Sequence, residues 1–103
     1  MKSRYKFESE VWLYPSETAA WHMTSVPKEV SEEIKKNFGK VERGWGSLRV
    51  SAKAGKTTWP TSIFWDKRSG VYILPLKAAV RKKEGIMQGE HINVDLSIII
   101  ERN

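Results

Sequence analysis

The chain has 103 residues, of which 40% are hydrophobic and 29% charged, and its net charge is +6. This length supplies one modest hydrophobic core and excludes a second domain. The absence of cysteine excludes a disulfide framework, a thiolate metal site and a cysteine nucleophile. No segment approaches the roughly 20 apolar residues of a membrane span, and the N-terminus lacks the apolar core of a signal peptide. We therefore expect a soluble, cytoplasmic protein without a membrane partner.

The positive charge is concentrated in the second half of the chain. Nine lysine and arginine residues lie between positions 49 and 83, against a single acid, Asp66. A basic segment of this kind indicates an anionic partner, or else only a solvated surface. The charge by itself leaves both readings open.

The first half of the chain predicts three strands and one helix. Alternating apolar residues predict a strand at 5–14, and a second strand follows at 20–26. Pro27 then opens a helix that ends at Gly39, because glutamates come early in the segment, lysines come late, and apolar residues recur at helical spacing. Residues 47–54 alternate between apolar and polar side chains, which is typical of a strand with one buried face.

The second half predicts the same order of elements. A tight turn at residues 55–56 leads to a strand at 57–65, and a strand that is apolar on both faces follows at 71–76. A short basic helix then ends at Gly85. The last predicted strand, at 91–101, places five apolar residues on one face.

The two halves therefore form two predicted β-β-α-β repeats, at about 4–54 and 56–101, within a single domain spanning 1–103. We align them on the proline that precedes each helix, Pro27 and Pro75. Two such repeats close six strands into a pseudo-twofold barrel of the double-split type, a mainly β fold with two short α-helices and no free sheet edge. The alternative is an ordinary β-meander with an accidental repeat.

Three features of the sequence resemble one known family. They are an aromatic strand followed by Val-Pro before a helix, the stretch GVYILPLKAAVRK at 70–82, and the Gly89-Glu90 step before the last strand. This combination is similar to a prokaryotic family of unknown function, whose members are small double-split β-barrels sometimes fused ahead of a bacteriocin-protection-like domain. The resemblance covers about residues 5–99 and implies a monomeric barrel of six strands. It implies no activity, and Glu90 stands where the family usually has aspartate.

Motifs for catalysis and for metal binding are weak. The stretch AGKTT at 54–58 contains the end of a phosphate-binding loop, but Val50 occupies the position of its first glycine and no helix is predicted to follow, so we interpret it as a hairpin turn. His22 and His91 lie in different repeats without further ligands at metal-binding spacing. No nucleophile elbow and no acid–base pair of carboxylates is apparent. We expect no enzyme activity, no metal and no cofactor.

The basic helix gives the strongest binding signal. Lys77 and Arg81 are four residues apart and therefore share one helical face. Together with the free amide groups at the start of the helix they can hold a phosphate or a carboxylate, and Arg49 is a third candidate cation. The alternative is that Lys77 only covers the barrel surface while Arg81 pairs with a carboxylate.

Five tryptophans are more than a barrel of this size can enclose. Trp45 stands between two glycines on a polar loop, where it either stacks on a ligand ring or caps the open end of the barrel. We take Trp21 and Trp45 as candidates for an aromatic wall beside the anion. The leading hypothesis is a non-catalytic binding module for a small anionic ligand or an acidic partner protein. Nonspecific nucleic-acid binding is the alternative.

Overall fold

The computed structural model describes residues 2–15 and 20–100 of the chain. The strands are β1 (Arg4–Tyr14), β2 (Trp21–Ser25), β3 (Ser47–Ala54), β4 (Thr57–Asp66), β5 (Val71–Pro75) and β6 (His91–Ile98). The helices are α1 (Lys28–Phe38) and α2 (Ala78–Glu84), and two short 3-10 turns, Gly39–Val41 and Gly44–Gly46, connect α1 to β3. The last strand ends earlier than predicted, and residue 101 lies outside the described residues.

The six strands form a closed antiparallel barrel in the order β1-β2-β5-β4-β3-β6, which confirms the predicted fold. Closure satisfies the strand edges that an open sheet would expose. Ala54 pairs with Thr57, so Gly55 and Lys56 form the turn of the β3–β4 hairpin, and a strand follows them. The interpretation of AGKTT as a hairpin turn is therefore confirmed.

The strand pairing relates the two halves of the chain to each other. β2 pairs with β5 around Thr24 and Leu74, and β3 pairs with β6 around Ala52 and Leu96. If β1, β2 and β3 are exchanged for β4, β5 and β6, the same strand pairs result, which indicates an internal twofold relation between the halves.

The register of the repeats differs from the predicted one. Pro27 immediately precedes α1, but the residue that immediately precedes α2 is Lys77, while Pro75 is the last residue of β5. The predicted alignment of Pro27 with Pro75 is therefore wrong by two residues. Both halves make the same hydrogen bond after their strand, from the N–H of Leu76 to the carbonyl of His22 and from the N–H of Val26 to the carbonyl of Tyr72, at 2.9 Å each. Leu76 therefore corresponds to Val26, and Pro75 lies within β5, where it pairs with Met23.

The hydrophobic core fills the barrel from five of the six strands and both helices, and β2 adds the buried Thr24. Alternation in β3 buries Leu48, Val50, Ala52 and Ala54, as the sequence pattern predicts. α1 adds Ile34 and Phe38 to the core, and α2 adds Val80. The side chains that remain outside on the strands and at the ends of the helices form the surfaces that can contact a partner.

Candidate functional site

The predicted anion site on α2 is only partly assembled. Lys77 is exposed, and its carbonyl accepts the backbone N–H groups of Val80 and Arg81 at 3.1 Å each. The Nε of Arg81 donates to the carbonyl of Leu76 over 3.0 Å, so part of the guanidinium is already used to hold the start of its own helix.

Arg81 lies close enough to β2 to act on His22. Burial, followed by the charge of Arg81, lowers the pKa of His22 below its usual value. The Nδ1 atom of His22 is buried and has no hydrogen-bond partner in the described part of the chain. Arg49 is on β3, which is three strands away from β2 in either direction around the barrel, so the structure does not bring Arg49 to Lys77 and Arg81.

The two predicted wall residues also lie apart. Trp21 begins β2, pairs with Tyr14 of β1 and is 55% exposed. Trp45 lies in the connection between α1 and β3. The start of β2 lies beside the end of β5, where Met23 pairs with Pro75, whereas the Trp45 loop lies next to Trp65, which pairs with Tyr72 near the start of β5. The two tryptophans therefore lie towards opposite ends of the barrel, and each is considered with its own neighbours.

Trp45 has an unusual backbone and an unusual exposure. Its φ is 65°, which makes it the one non-glycine residue with a positive φ in residues 2–15 and 20–100. For a bulky side chain this left-handed conformation is strained. The indole is nevertheless 91% exposed, so packing within the protein does not compensate the strain.

Glycine is required directly after Trp45 because the chain there passes close to β4. Gly46 has a φ of 62°, and a Cβ at this position would lie 3.0 Å from the Cβ of Trp65. The close approach places the Trp45 loop over Trp65 and beside the carboxylate of Glu42.

A groove of about 580 Å³ opens at this place, and we call it the Trp45 groove. Its lining comes from α1, from the loop before β3 and from the end of β4 with the following turn: Lys35, Glu42, Trp45, Gly46, Trp65 and Lys67. The volume lies within the range of roughly 300–1,000 Å³ that is usual for small-molecule sites.

A polar network holds the floor of the Trp45 groove. Lys35 donates to both carboxylate oxygens of Glu42, at 2.9 and 2.8 Å, and the hydroxyl of Tyr72 donates to the same carboxylate. The Lys35 ammonium also lies 4.5 Å from the ring centroid of Trp65, and the Trp65 and Tyr72 rings meet edge to face with centroids 5.0 Å apart. The backbone N–H of Tyr72 donates to the hydroxyl of Ser31, which anchors β5 to α1.

These contacts give the groove a defined electrostatic character. Burial, then the hydrogen bond to Glu42 and its charge, raise the pKa of Tyr72 well above its usual value, so the phenol stays neutral. Glu42 accepts from two donors and its side chain is only 13% exposed, which leaves it poorly placed to remove a proton from a ligand. No hydrogen bond or ion pair joins Lys67 to another of the described residues. Lys67 is therefore the cation that the groove offers to a ligand.

The network was not visible in the sequence because its members come from both halves of the chain. Lys35 and Glu42 belong to the first half, whereas Trp65 and Tyr72 belong to the second. The sequence pattern indicates which face of an element is buried, but not which elements meet. Only the Gly-Trp-Gly stretch around Trp45 gave a local signal.

Two further findings concern the described residues as a whole. In residues 2–15 and 20–100, no three histidine, cysteine, aspartate or glutamate side chains lie together in a way that could hold a metal ion. Over the same ranges, neither helix is long and apolar enough to cross a membrane.

Comparison with known proteins places the chain in a family. No curated protein matches its sequence significantly. The family model described as "Domain of unknown function (DUF1905)" matches residues 7–96, which is most of the chain and includes all six barrel strands in whole or in part. The match confirms the resemblance seen in the sequence. The chain therefore belongs to the DUF1905 family, a domain of unknown function.

Proposed function

We propose that this protein is a non-catalytic binding module and that the Trp45 groove binds a small, planar anion. The observation that carries the proposal is Trp45 itself, a large aromatic side chain with a strained backbone and 91% exposure. Strained residues concentrate at functional sites, where the strain is offset by what the residue does. Packing of the indole against the described residues does not offset it, because the side chain is exposed, so we infer that a ligand does.

The lining of the groove defines the chemistry of this ligand. The exposed indole of Trp45 offers a flat face on which an aromatic ring can stack. Lys35 and Glu42 neutralise each other, so Lys67 sets the net charge of the groove and favours a carboxylate or a phosphate. A flat ring that bears one such group fits both features and the volume of the groove.

Isothermal titration calorimetry with two probes tests the proposal. Adenosine monophosphate represents ring phosphates, and 2-naphthoate represents ring carboxylates. We expect the wild-type protein to bind at least one probe, and Trp45→Ala to weaken that binding about fivefold or more, because stacking on an aromatic side chain contributes about 1–3 kcal/mol. Lys67→Ala should also weaken binding.

Matched controls separate this site from the one predicted on α2. Trp21→Ala removes another exposed tryptophan, and Lys77→Ala with Arg81→Ala removes the cations of α2; we expect both proteins to bind the probe within about twofold of the wild type. Loss of binding in the Lys77 and Arg81 variant, with Trp45→Ala unaffected, would transfer the function to the predicted α2 site. Absence of binding to both probes would refute the proposal.

A further inference from the structure

A second cationic surface lies on the outside of the barrel, where β6 runs between β1 and β3. Asp95 of β6 is directly opposite Lys6 on β1 and directly opposite Lys53 on β3. Arg4 reaches the same carboxylate: its Nε donates to Oδ1 over 2.9 Å and its Nη2 donates to Oδ2. Three cations therefore surround one carboxylate.

The balance of charge on this surface is positive. The hydrogen bond from Arg4, with the nearby charges of Arg4, Lys6 and Lys53, lowers the pKa of Asp95, so the aspartate is ionised at neutral pH and cancels Arg4. Lys6 and Lys53 remain as a surplus. Glu8, two residues after Lys6 on β1, reduces this surplus at one end of the surface.

The surface is also concave. Two depressions of about 460 and 160 Å³ share Lys53 and Asp95 along their common border. The residues between the charged side chains are mostly small or polar: Ser51, Gly55, Thr58, Asn93 and Ser97. None of the large exposed hydrophobic side chains of the described chain lines either depression.

We propose that this outer face of β1, β6 and β3 binds the phosphate backbone of single-stranded nucleic acid without sequence preference. Lysines provide the point charges for phosphates, and the serine and threonine hydroxyls provide additional donors. Lys6 and Lys53 are separated by two interstrand spacings, about 10 Å, which suits one flexible chain lying across the strands.

The lining of the surface bears on two other classes of partner. An acidic protein would need exposed apolar or aromatic anchors at the centre of its interface, whereas the two apolar residues that line the larger depression, Phe7 and Val94, pack into the barrel core. Duplex DNA carries the same phosphates on a stiffer chain, so a labelled duplex 20-mer is measured beside the single strand, and tighter binding of the duplex overturns the single-stranded assignment. The site is separate from the Trp45 groove, since the two share no lining residue.

Fluorescence anisotropy of a labelled thymidine 20-mer over a salt series tests the proposal. The test variant is Lys6→Ala with Lys53→Ala. The matched control is Lys82→Ala with Lys83→Ala, which removes the same charge from exposed positions on α2. For single strands the slope of log affinity against log salt is about −0.7 per phosphate contact, so we expect the test variant to reduce the slope by about 1.4 and the control to leave it nearly unchanged.

Further measurements make the test decisive. Glu8→Gln should tighten binding, because it removes the negative charge at the edge of the site. Inorganic phosphate should displace the 20-mer no better than chloride at equal ionic strength. The proposal is overturned if the wild type does not bind at low salt, if both double variants lose the same slope, or if millimolar phosphate displaces the strand. Trp45→Ala should leave this binding unchanged, so the two proposed sites succeed or fail separately.

Discussion

Replacing Trp45 by alanine and by glycine gives a direct measure of the strain at this position. Both variants remove the ring, so the comparison between them depends on the backbone alone. A left-handed conformation costs a residue with a Cβ about 1–2 kcal/mol. Glycine avoids that cost but loses about 0.5–1 kcal/mol through its greater freedom in the unfolded chain. With φ at 65°, Trp45→Gly should therefore be more stable than Trp45→Ala by about 0.5–1 kcal/mol.

Thermal and urea unfolding followed by circular dichroism measure this difference. For a domain of this size, 1 kcal/mol corresponds to about 4–8 °C in Tm, so the glycine variant should melt about 2–8 °C above the alanine variant. Lys53 provides the matched control, because it is exposed on a regular strand. There the order should reverse, with the alanine variant more stable than the glycine variant.

The reasoning fails if alanine is equal to or better than glycine at position 45. That result would mean that the loop relaxes to a negative φ when the indole is removed, and that the conformation is set by the side chain. The argument from Trp45 to a bound ligand would then lose its basis, because no cost would be left for a ligand to offset.

Three other predictions concern the turn, the groove floor and the α2 surface. Gly55 has a φ of 61°, so Gly55→Ala should lower the free energy of unfolding in urea by about 1–2 kcal/mol through backbone strain. An added Cβ would also meet the Glu84 carboxylate, so the control adds Glu84→Ala. The loss should persist in this double variant, and full recovery of stability would show that the clash dominates. Because the pKa of Tyr72 is raised, the stability that its neutral phenol contributes is complete below pH 10 and is lost as the pH rises further. Tyr72→Phe should therefore flatten the fall of unfolding free energy above pH 10, and an unchanged slope of unfolding free energy against pH would contradict this. In an NMR titration, Arg81→Ala should raise the pKa of His22 while leaving it below the usual histidine value, because burial of the imidazole remains. Arg81→Lys keeps the charge and should change the pKa of His22 little. An unchanged pKa in Arg81→Ala would argue against the proximity of Arg81 and His22.

Much of the fold could be predicted because the strands and the first helix have clear periodicity. β3 alternates strictly, and its four apolar residues are all buried. The start of α2 was less predictable, since Pro75 belongs to β5 and pairs with Met23 of β2, which is a contact between distant parts of the chain. Local signals such as Pro75 carry no information about that contact.

The candidate sites could be predicted only in fragments. Counting charges along the sequence grouped Arg49 with Lys77 and Arg81, but the closed strand order puts β3 on the far side of the barrel from β2. The surplus charge of Lys6 and Lys53 arises in the opposite way, since the sequence separates two residues that the sheet brings to either side of Asp95. A charge count along the chain cannot reveal either relation.

The closed strand order makes each half of the chain incomplete without the other. β3 has both of its neighbours, β4 and β6, in the second half, and β6 has both of its neighbours, β1 and β3, in the first half. Each half therefore contains one strand whose two neighbours both belong to the other half, as in a strand-exchanged dimer whose two chains are joined by a linker. A half-length chain with this topology can close a barrel only around a second copy of itself. The short β3–β4 turn is the covalent link between the two interdependent halves.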